Sequence, residues 1–198
     1  MTKRGGRLWV MVAAALIVLA GLAGDLAGWT TVPNTLLADW RFSLRTVGPT
    51  QSVALVDIDA KSLDAIGVWP WPRALHAQLL DRLAALGAAQ IAFDVDFSTR
   101  STPSDDQAFA DALARSDAPV FLASFAQKAA HTGGAVAVNE PLPVFLDSAV
   151  PALVNVPLGV EGKVRRFPTA LVVGKRSVQS MPALLSGMDT PGEPIRID

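Results

Sequence analysis

The longest unbroken apolar run lies near the amino terminus. Residues 8–24 (LWVMVAAALIVLAGLAG) hold no charge, and Asp25 ends the run. An apolar stretch with no polar face predicts a membrane-spanning helix rather than an amphipathic surface helix. At about 1.5 Å per residue it spans roughly 25 Å, slightly short of a ~30 Å hydrocarbon core. Residues 26–29 add length and an interfacial aromatic, Trp29. Lys3, Arg4 and Arg7 precede the run with no acid among them. The positive-inside rule then puts residues 1–7 in the cytoplasm and everything after residue 24 outside it. A cleaved signal peptide is the competing reading, because Gly21 and Ala23 are small enough for a cleavage site.

Beyond the run the pattern changes to helical and strand periods. Residues 34–47 place Leu36, Leu37, Trp40, Leu44 and Val47 at helical spacing, with Asn34 as N-cap, and Gly48-Pro49 ends the helix. Residues 52–59 (SVALVDID) predict a strand. Asp59 then caps a turn over residues 60–66, closed by Gly67. Residues 68–72 must be extended, because Pro70 and Pro72 disfavour helix at the residue before each. Residues 72–86 form a strong helix with Leu75, Leu79, Leu83 and Leu86 in one stripe.

Residues 90–97 (QIAFDVDF) give the second strand, and residues 118–125 (APVFLASF) the third. Between them a capping-box-like Thr102-Pro103-Ser104-Asp105 opens a helix to Arg115, with Phe109, Ala112 and Leu113 on one face. Residues 126–149 carry Gly133-Gly134, Pro141 and Pro143 and predict a loop region or partner surface. Residues 153–157 and 164–173 predict an antiparallel hairpin around Glu161-Gly162. A short helix follows over residues 181–188, and residues 195–198 start a further strand.

The sum is an α/β fold of three layers. Its mainly parallel sheet comes from strand–helix–strand–helix–strand units with right-handed crossovers, followed by the antiparallel hairpin. One transmembrane helix precedes it. The domains are a cytoplasmic end (1–7), a signal anchor (8–24) and an extracytoplasmic domain (34–198). The last strand breaks off at Asp198, so a longer receptor, truncated here, is expected.

Composition narrows the chemistry. With 17 Lys+Arg against 18 Asp+Glu the net charge is −1, which gives no general attraction to nucleic acid. There is no cysteine, which excludes disulfide scaffolds, iron–sulfur clusters and thiol catalysis. His76 and His131 are the only histidines, too few for a multi-histidine metal site. No cofactor is expected.

Two constellations remain. Asp57 and Asp59 share a strand face, and Asp94 with Asp96 repeats the arrangement one strand later. At the carboxyl ends of parallel strands, four carboxylates could meet a hard cation or a cationic or hydroxylated ligand. The simpler reading is capping and pairing, with Lys61, Arg73, Arg165 or Arg166 as partners. The second constellation is Trp69-Pro70-Trp71-Pro72-Arg73. Proline-stiffened indoles beside a fixed cation could face an aromatic ring or a quaternary ammonium. The simpler reading buries the indoles and pairs Arg73 with an aspartate. The candidate ligand-binding residues are thus Asp57, Asp59, Trp69, Trp71, Arg73, Asp94 and Asp96. His76 reads as a boundary histidine with a local hydrogen bond.

Residues 91–99 (IAFDVDFST) resemble the first motif of haloacid-dehalogenase phosphohydrolases. That resemblance implies Asp94 as nucleophile and Asp96 as general acid in an exported metal-dependent phosphohydrolase. Phe97 stands where that motif has glycine, and only Lys163 or Lys175 could serve as phosphate partner.

A wider resemblance covers most of the chain. Asp39-Trp40-Arg41, Asp57-Ile58-Asp59 with Ser62, and residues 67–73 (GVWPWPR) with His76 come first. Gly87-Ala88, residues 93–97 (FDVDF), Asp105-Asp106, residues 162–166 (GKVRR) and Pro182-Ala183-Leu184 follow in order. Together they resemble the second type of CHASE domain, the extracytoplasmic sensory domain of bacterial receptors. The resemblance implies a non-enzymatic input module on the periplasmic side of the inner membrane. It implies a homodimer and an unidentified small-molecule or protein ligand. It also implies an output elsewhere in the receptor, such as an adenylate cyclase, a diguanylate cyclase or a two-component histidine kinase. An anchored periplasmic binding protein is the remaining alternative.

Overall fold

The computed structural model describes residues 3–26, 31–45, 48, 52–128, 136–158, 162–164, 166–173, 176–188 and 195–196. Trp29, His131, Gly133, Gly134, Arg165, Lys175 and Asp198 lie outside them, with whatever the sequence predicts there. The chain divides into two compact units, one over residues 1–55 and one over residues 56–197.

The first unit holds helices α1 (Lys3–Leu26) and α2 (Thr31–Leu44). α1 contains the predicted 8–24 span. Its apolar side chains are open to solvent all round, from Trp9 and Val10 to Leu19 and Leu22. Among the described residues, no helix is long and apolar enough to cross a membrane. α2 starts earlier than expected, so Asn34 lies within the helix rather than capping it. Leu36, Leu37 and Trp40 are exposed on it.

The second unit is a mixed α/β body. The predicted strand at 52–59 does not form: among the described residues no strand pairs with it. An isolated strand has nothing to satisfy its backbone and does not persist. Helix α3 (Ala60–Ile66) follows as expected: the Asp59 carboxylate accepts from the Ser62 amide, and Gly67 closes the helix at φ 75°. Helix α4 (Arg73–Ala85) leads to strand β1 (Ile91–Phe93), helix α5 (Pro103–Arg115) and strand β2 (Val120–Lys128). β1 and β2 are parallel, with Ile91 opposite Val120 and Phe93 opposite Leu122.

β3 (Val136–Asn139) runs antiparallel to the far end of β2, inside the stretch read from sequence as loop. Helix α6 (Pro143–Leu146) lies there too, with Phe145 fully buried. β4 (Val150–Leu153) forms earlier than the predicted 153–157 strand and joins β2 in parallel. Asn155 explains where it stops. Its side-chain amide takes the Ala126 N–H and donates to the Ala126 carbonyl, standing in for a strand residue's backbone.

The hairpin expected around Glu161-Gly162 is displaced. β5 (Arg166–Phe167) pairs with β8 (Ile195–Arg196), and the hairpin is β6 (Ala170–Val173) against β7 (Arg176–Gln179). β4 is claimed by the parallel sheet, so it is not available to an antiparallel partner. α7 (Met181–Leu185) lies between β7 and β8, capped by the Ser180 hydroxyl.

The core lies where α4, α5 and α6 meet the sheet. Leu80, Phe93, Phe97, Phe109, Leu113, Leu122 and Phe145 are its large members. α4 and α5 pack on each other. On α5 the expected face is the buried one: Phe109, Ala112 and Leu113. On α4 the expected stripe is only partly buried: Leu79 and Leu83 pack against the core and Leu86 is exposed, while Arg73, His76, Ala77 and Leu80 are the fully buried residues. Val120–Ser124 of β2 are buried on both faces, but β1 hides only Ile91 and Phe93 and leaves Ala92 exposed.

Candidate functional site

The segment before α4 turns through a cis Trp69-Pro70 peptide bond. The two indoles then part company. Trp69 is 56% exposed, and Trp71 lies half-buried with its ring edge-on to Trp69 at 6.1 Å. Trp71 in turn lies 6.0 Å from the His76 ring.

Arg73 is the first residue of α4 and is only 6% exposed. Burying a guanidinium is costly unless its donors are met. Here Nη2 donates to the Thr99 carbonyl at 2.8 Å and Nη1 to the Asp96 carbonyl at 3.5 Å. Nε stands 3.6 Å from the Asp106 carboxylate, itself buried. The planar cation also covers the Phe97 ring at 4.6 Å. Desolvation lowers the Arg73 pKa, and the Asp106 and Asp96 charges oppose that shift. Asp106 accepts from the Ser101 amide with both oxygens. Arg73 therefore ties the α4 start, the loop after β1 and the α5 start into one knot.

His76 sits one turn further along and is 1% exposed. Phe93, Phe97 and Phe109 meet its ring edge-on at 5.2–6.3 Å. It is not the boundary residue the sequence suggested, and its Nδ1 has no hydrogen-bond partner among the described residues. Burial, then the neighbouring Arg73 charge, push its pKa down to about 4. The imidazole is neutral at neutral pH.

The aspartates are arranged differently. Asp59 is the α3 cap, and the Ser62 hydroxyl and amide hold its carboxyl below the usual range. Asp96 closes a turn by accepting from the Ser98 amide. Asp57 and Asp94 are exposed. Among the described residues no cation forms an ion pair with any of these four, and no group of three or more His, Asp or Glu is placed to hold a metal. The simpler reading holds for Asp59 and Asp96 as turn and cap residues, but Arg73 chose Asp106. Nothing brings Asp57 into the Trp71–Arg73–His76 knot. Asp106 was missed as Arg73's partner. The usable signal was its place four residues after Thr102, in the first turn of a capped helix, where a carboxylate is favoured.

A family model for the CHASE2 domain matches residues 11–190. The chain belongs to the CHASE2 family. CHASE2 domains are extracellular sensory domains rather than catalysts, and the matched stretch contains every residue of the Trp69–Asp106 knot. No curated protein and no solved structure matches this CHASE2 chain. In this CHASE2 domain Arg73, His76 and Asp106 are buried, whereas the Trp69 indole and the Asp57 and Asp94 carboxylates are exposed.

Proposed function

We propose that this chain is the input module of a bacterial transmembrane receptor, anchored by α1 with its globular unit in the periplasm. The observation that carries this reading is the pairing of a sensory-family match with a basic amino-terminal flank and an apolar helix exposed all round. An apolar helix bare to water is unfavourable at roughly 25 cal/mol per Å², whereas lipid tails cover it at no such cost. Residues 26–29 would complete a span that falls slightly short on residues 8–24 alone.

Trp69, with its exposed indole held edge-on to Trp71, is the ligand-facing candidate. A planar ring or a quaternary ammonium group is the chemistry that such a face takes. Asp57 and Asp94 are available to a cationic group on the same ligand. The receptor works as a homodimer whose ligand shifts the balance between two arrangements. A nucleotide cyclase, a diguanylate cyclase or a histidine kinase supplies the output.

Topology reporters test the anchor. A periplasm-dependent reporter fused after Trp71 should be active, and a cytosol-dependent reporter at the same point inactive. The reverse pattern removes the receptor reading.

A further inference from the structure

No described side chain of α2 is buried, although the helix runs for 14 residues. Leu36, Leu37, Trp40 and Leu44 are each more than half exposed. At 3.6 residues per turn these four fall within an arc of about 100°, the width of an apolar stripe that normally faces a neighbour. Arg41 and Arg45 lie along one margin of the stripe and Ser43 along the other, while Phe42 lies on the opposite side. The Ser43 hydroxyl donates to the Trp40 carbonyl at 2.7 Å, so that margin meets its hydrogen bond without water. A helix of this length is marginal in water on its own, and its stability comes from whatever covers the stripe.

Position favours lipid as the cover. α1 ends at Leu26 and α2 begins at Thr31. A chain spans at most about 3.6 Å per residue, so the five steps between them cover no more than roughly 18 Å. On the anchor reading residues 26–29 complete the span, which starts α2 in the headgroup layer, about 5–7 Å thick on each side of the hydrocarbon. The side chains favour it too. Tryptophan collects at the boundary between acyl chains and headgroups, and arginine on the polar side of it. α2 has Trp40 within the stripe and two guanidinium groups beside it. A second copy fits less well, because paired helices need apolar heptads sustained over about three to four repeats and 14 residues give two.

We propose that α2 docks flat on the phospholipid surface beside the anchor, with Leu36, Leu37, Trp40 and Leu44 in the acyl boundary and Arg41 and Arg45 on lipid phosphates. The apolar side chains then leave water, and the long arginine stems reach back out to the headgroups. A flat helix differs from a spanning one in a measurable way. Residues 37 and 44 share one depth when the helix is flat, but lie about 10 Å apart in depth when it stands upright, at 1.5 Å per residue. The nearness of the surface rests on the receptor reading; the stripe and its basic margin do not.

Spin labels on the full chain in vesicles of phosphatidylethanolamine and phosphatidylglycerol test the docking, and the chain has no native cysteine to compete for the label. Single labels at Leu37→Cys and Leu44→Cys should collide with oxygen, relative to a water-soluble nickel chelate, several-fold more than one at Phe42→Cys. Both should lie about 5–10 Å below the phosphates, at matching depth. Adding Arg41→Glu with Arg45→Glu should raise both labels toward water. Equal ratios on the two sides of the helix, a depth difference near the roughly 10 Å of an upright helix, or no response to the charge reversal each overturn the proposal. Labels sheltered from both colliders overturn it too: spin–spin broadening then gives the stripe to a second copy, and its absence gives it to the globular unit. A label at Leu16→Cys reads the anchor separately. Oxygen-rich collisions there, with water-exposed labels on α2, remove the surface docking alone. Nickel-rich collisions at Leu16→Cys remove the anchor reading, and α2 is then judged on its own labels.

Discussion

Arg73 and Asp94 were equal candidates in the sequence, each a charged residue in an aromatic or apolar setting. Arg73 is 6% exposed while Asp94 stays in water. The difference lies in what surrounds each. The loop after β1 turns two carbonyls toward Arg73, and α5 brings a buried carboxylate to its Nε. Five donors in a rigid fork can be met by backbone oxygens, so a guanidinium can be buried. A carboxylate needs N–H groups or a cation, and no described cation pairs with Asp94. The charge that is matched becomes structure, and the one that is not stays in water.

Removing the cation should give the largest effect. Arg73→Ala leaves Asp106 buried without its charge partner, and is expected to cost about 3 kcal/mol in denaturant unfolding of the second unit. Arg73→Lys should restore only part of this, because an ammonium cannot reach both carbonyls and the carboxylate. A loss near zero for Arg73→Ala would break the contrast with Asp94.

The pH dependence comes next. His76 has a folded pKa of about 4 against an unfolded value near 6.5. Between those values the unfolded chain binds a proton that the folded core excludes, so stability falls as pH falls from 6.5 toward 4 and the His76 contribution levels off below that. The total is on the order of 3 kcal/mol. His76→Phe should flatten that slope while the wild-type curve keeps it, measured by thermal unfolding across the window.

Thr102→Ala should be smaller, about 1 kcal/mol, through loss of the cap on the helix that carries Asp106. Asp57→Asn and Asp94→Asn should be smallest, within about 0.5 kcal/mol, as expected of exposed groups without partners. If either carboxylate proved as costly as Arg73, the division between matched and free charge would fail.

How much of this was legible can be judged residue by residue. The α5 face was readable because Phe109, Ala112 and Leu113 recur at the helical period and Thr102 caps the start. The α3 cap was readable because Asp59 and Gly67 bracket it. The buried face of α4 was not. Its leucines advertise one stripe, and Leu79 and Leu83 do line the core, but the Arg73 knot and the phenylalanines from β1 and α5 put His76 and Leu80 deepest. The displaced hairpin was not readable either. Residues 150–153 and 153–157 are both apolar enough to be strands, and pairing to β2 with the Asn155 stop decides between them.

The amino-acid sequence alone set the local things: the apolar amino-terminal run behind its basic flank, the caps, the main helices, and the order of motifs that places the chain in the CHASE2 family. These depend on neighbours within a few turns of chain. Only the tertiary structure decided which charge is buried, which strand finds a partner and which indole faces water. Those outcomes depend on groups such as Arg73 and Asp106, which are 33 positions apart in sequence and meet only after the sheet and helices pack.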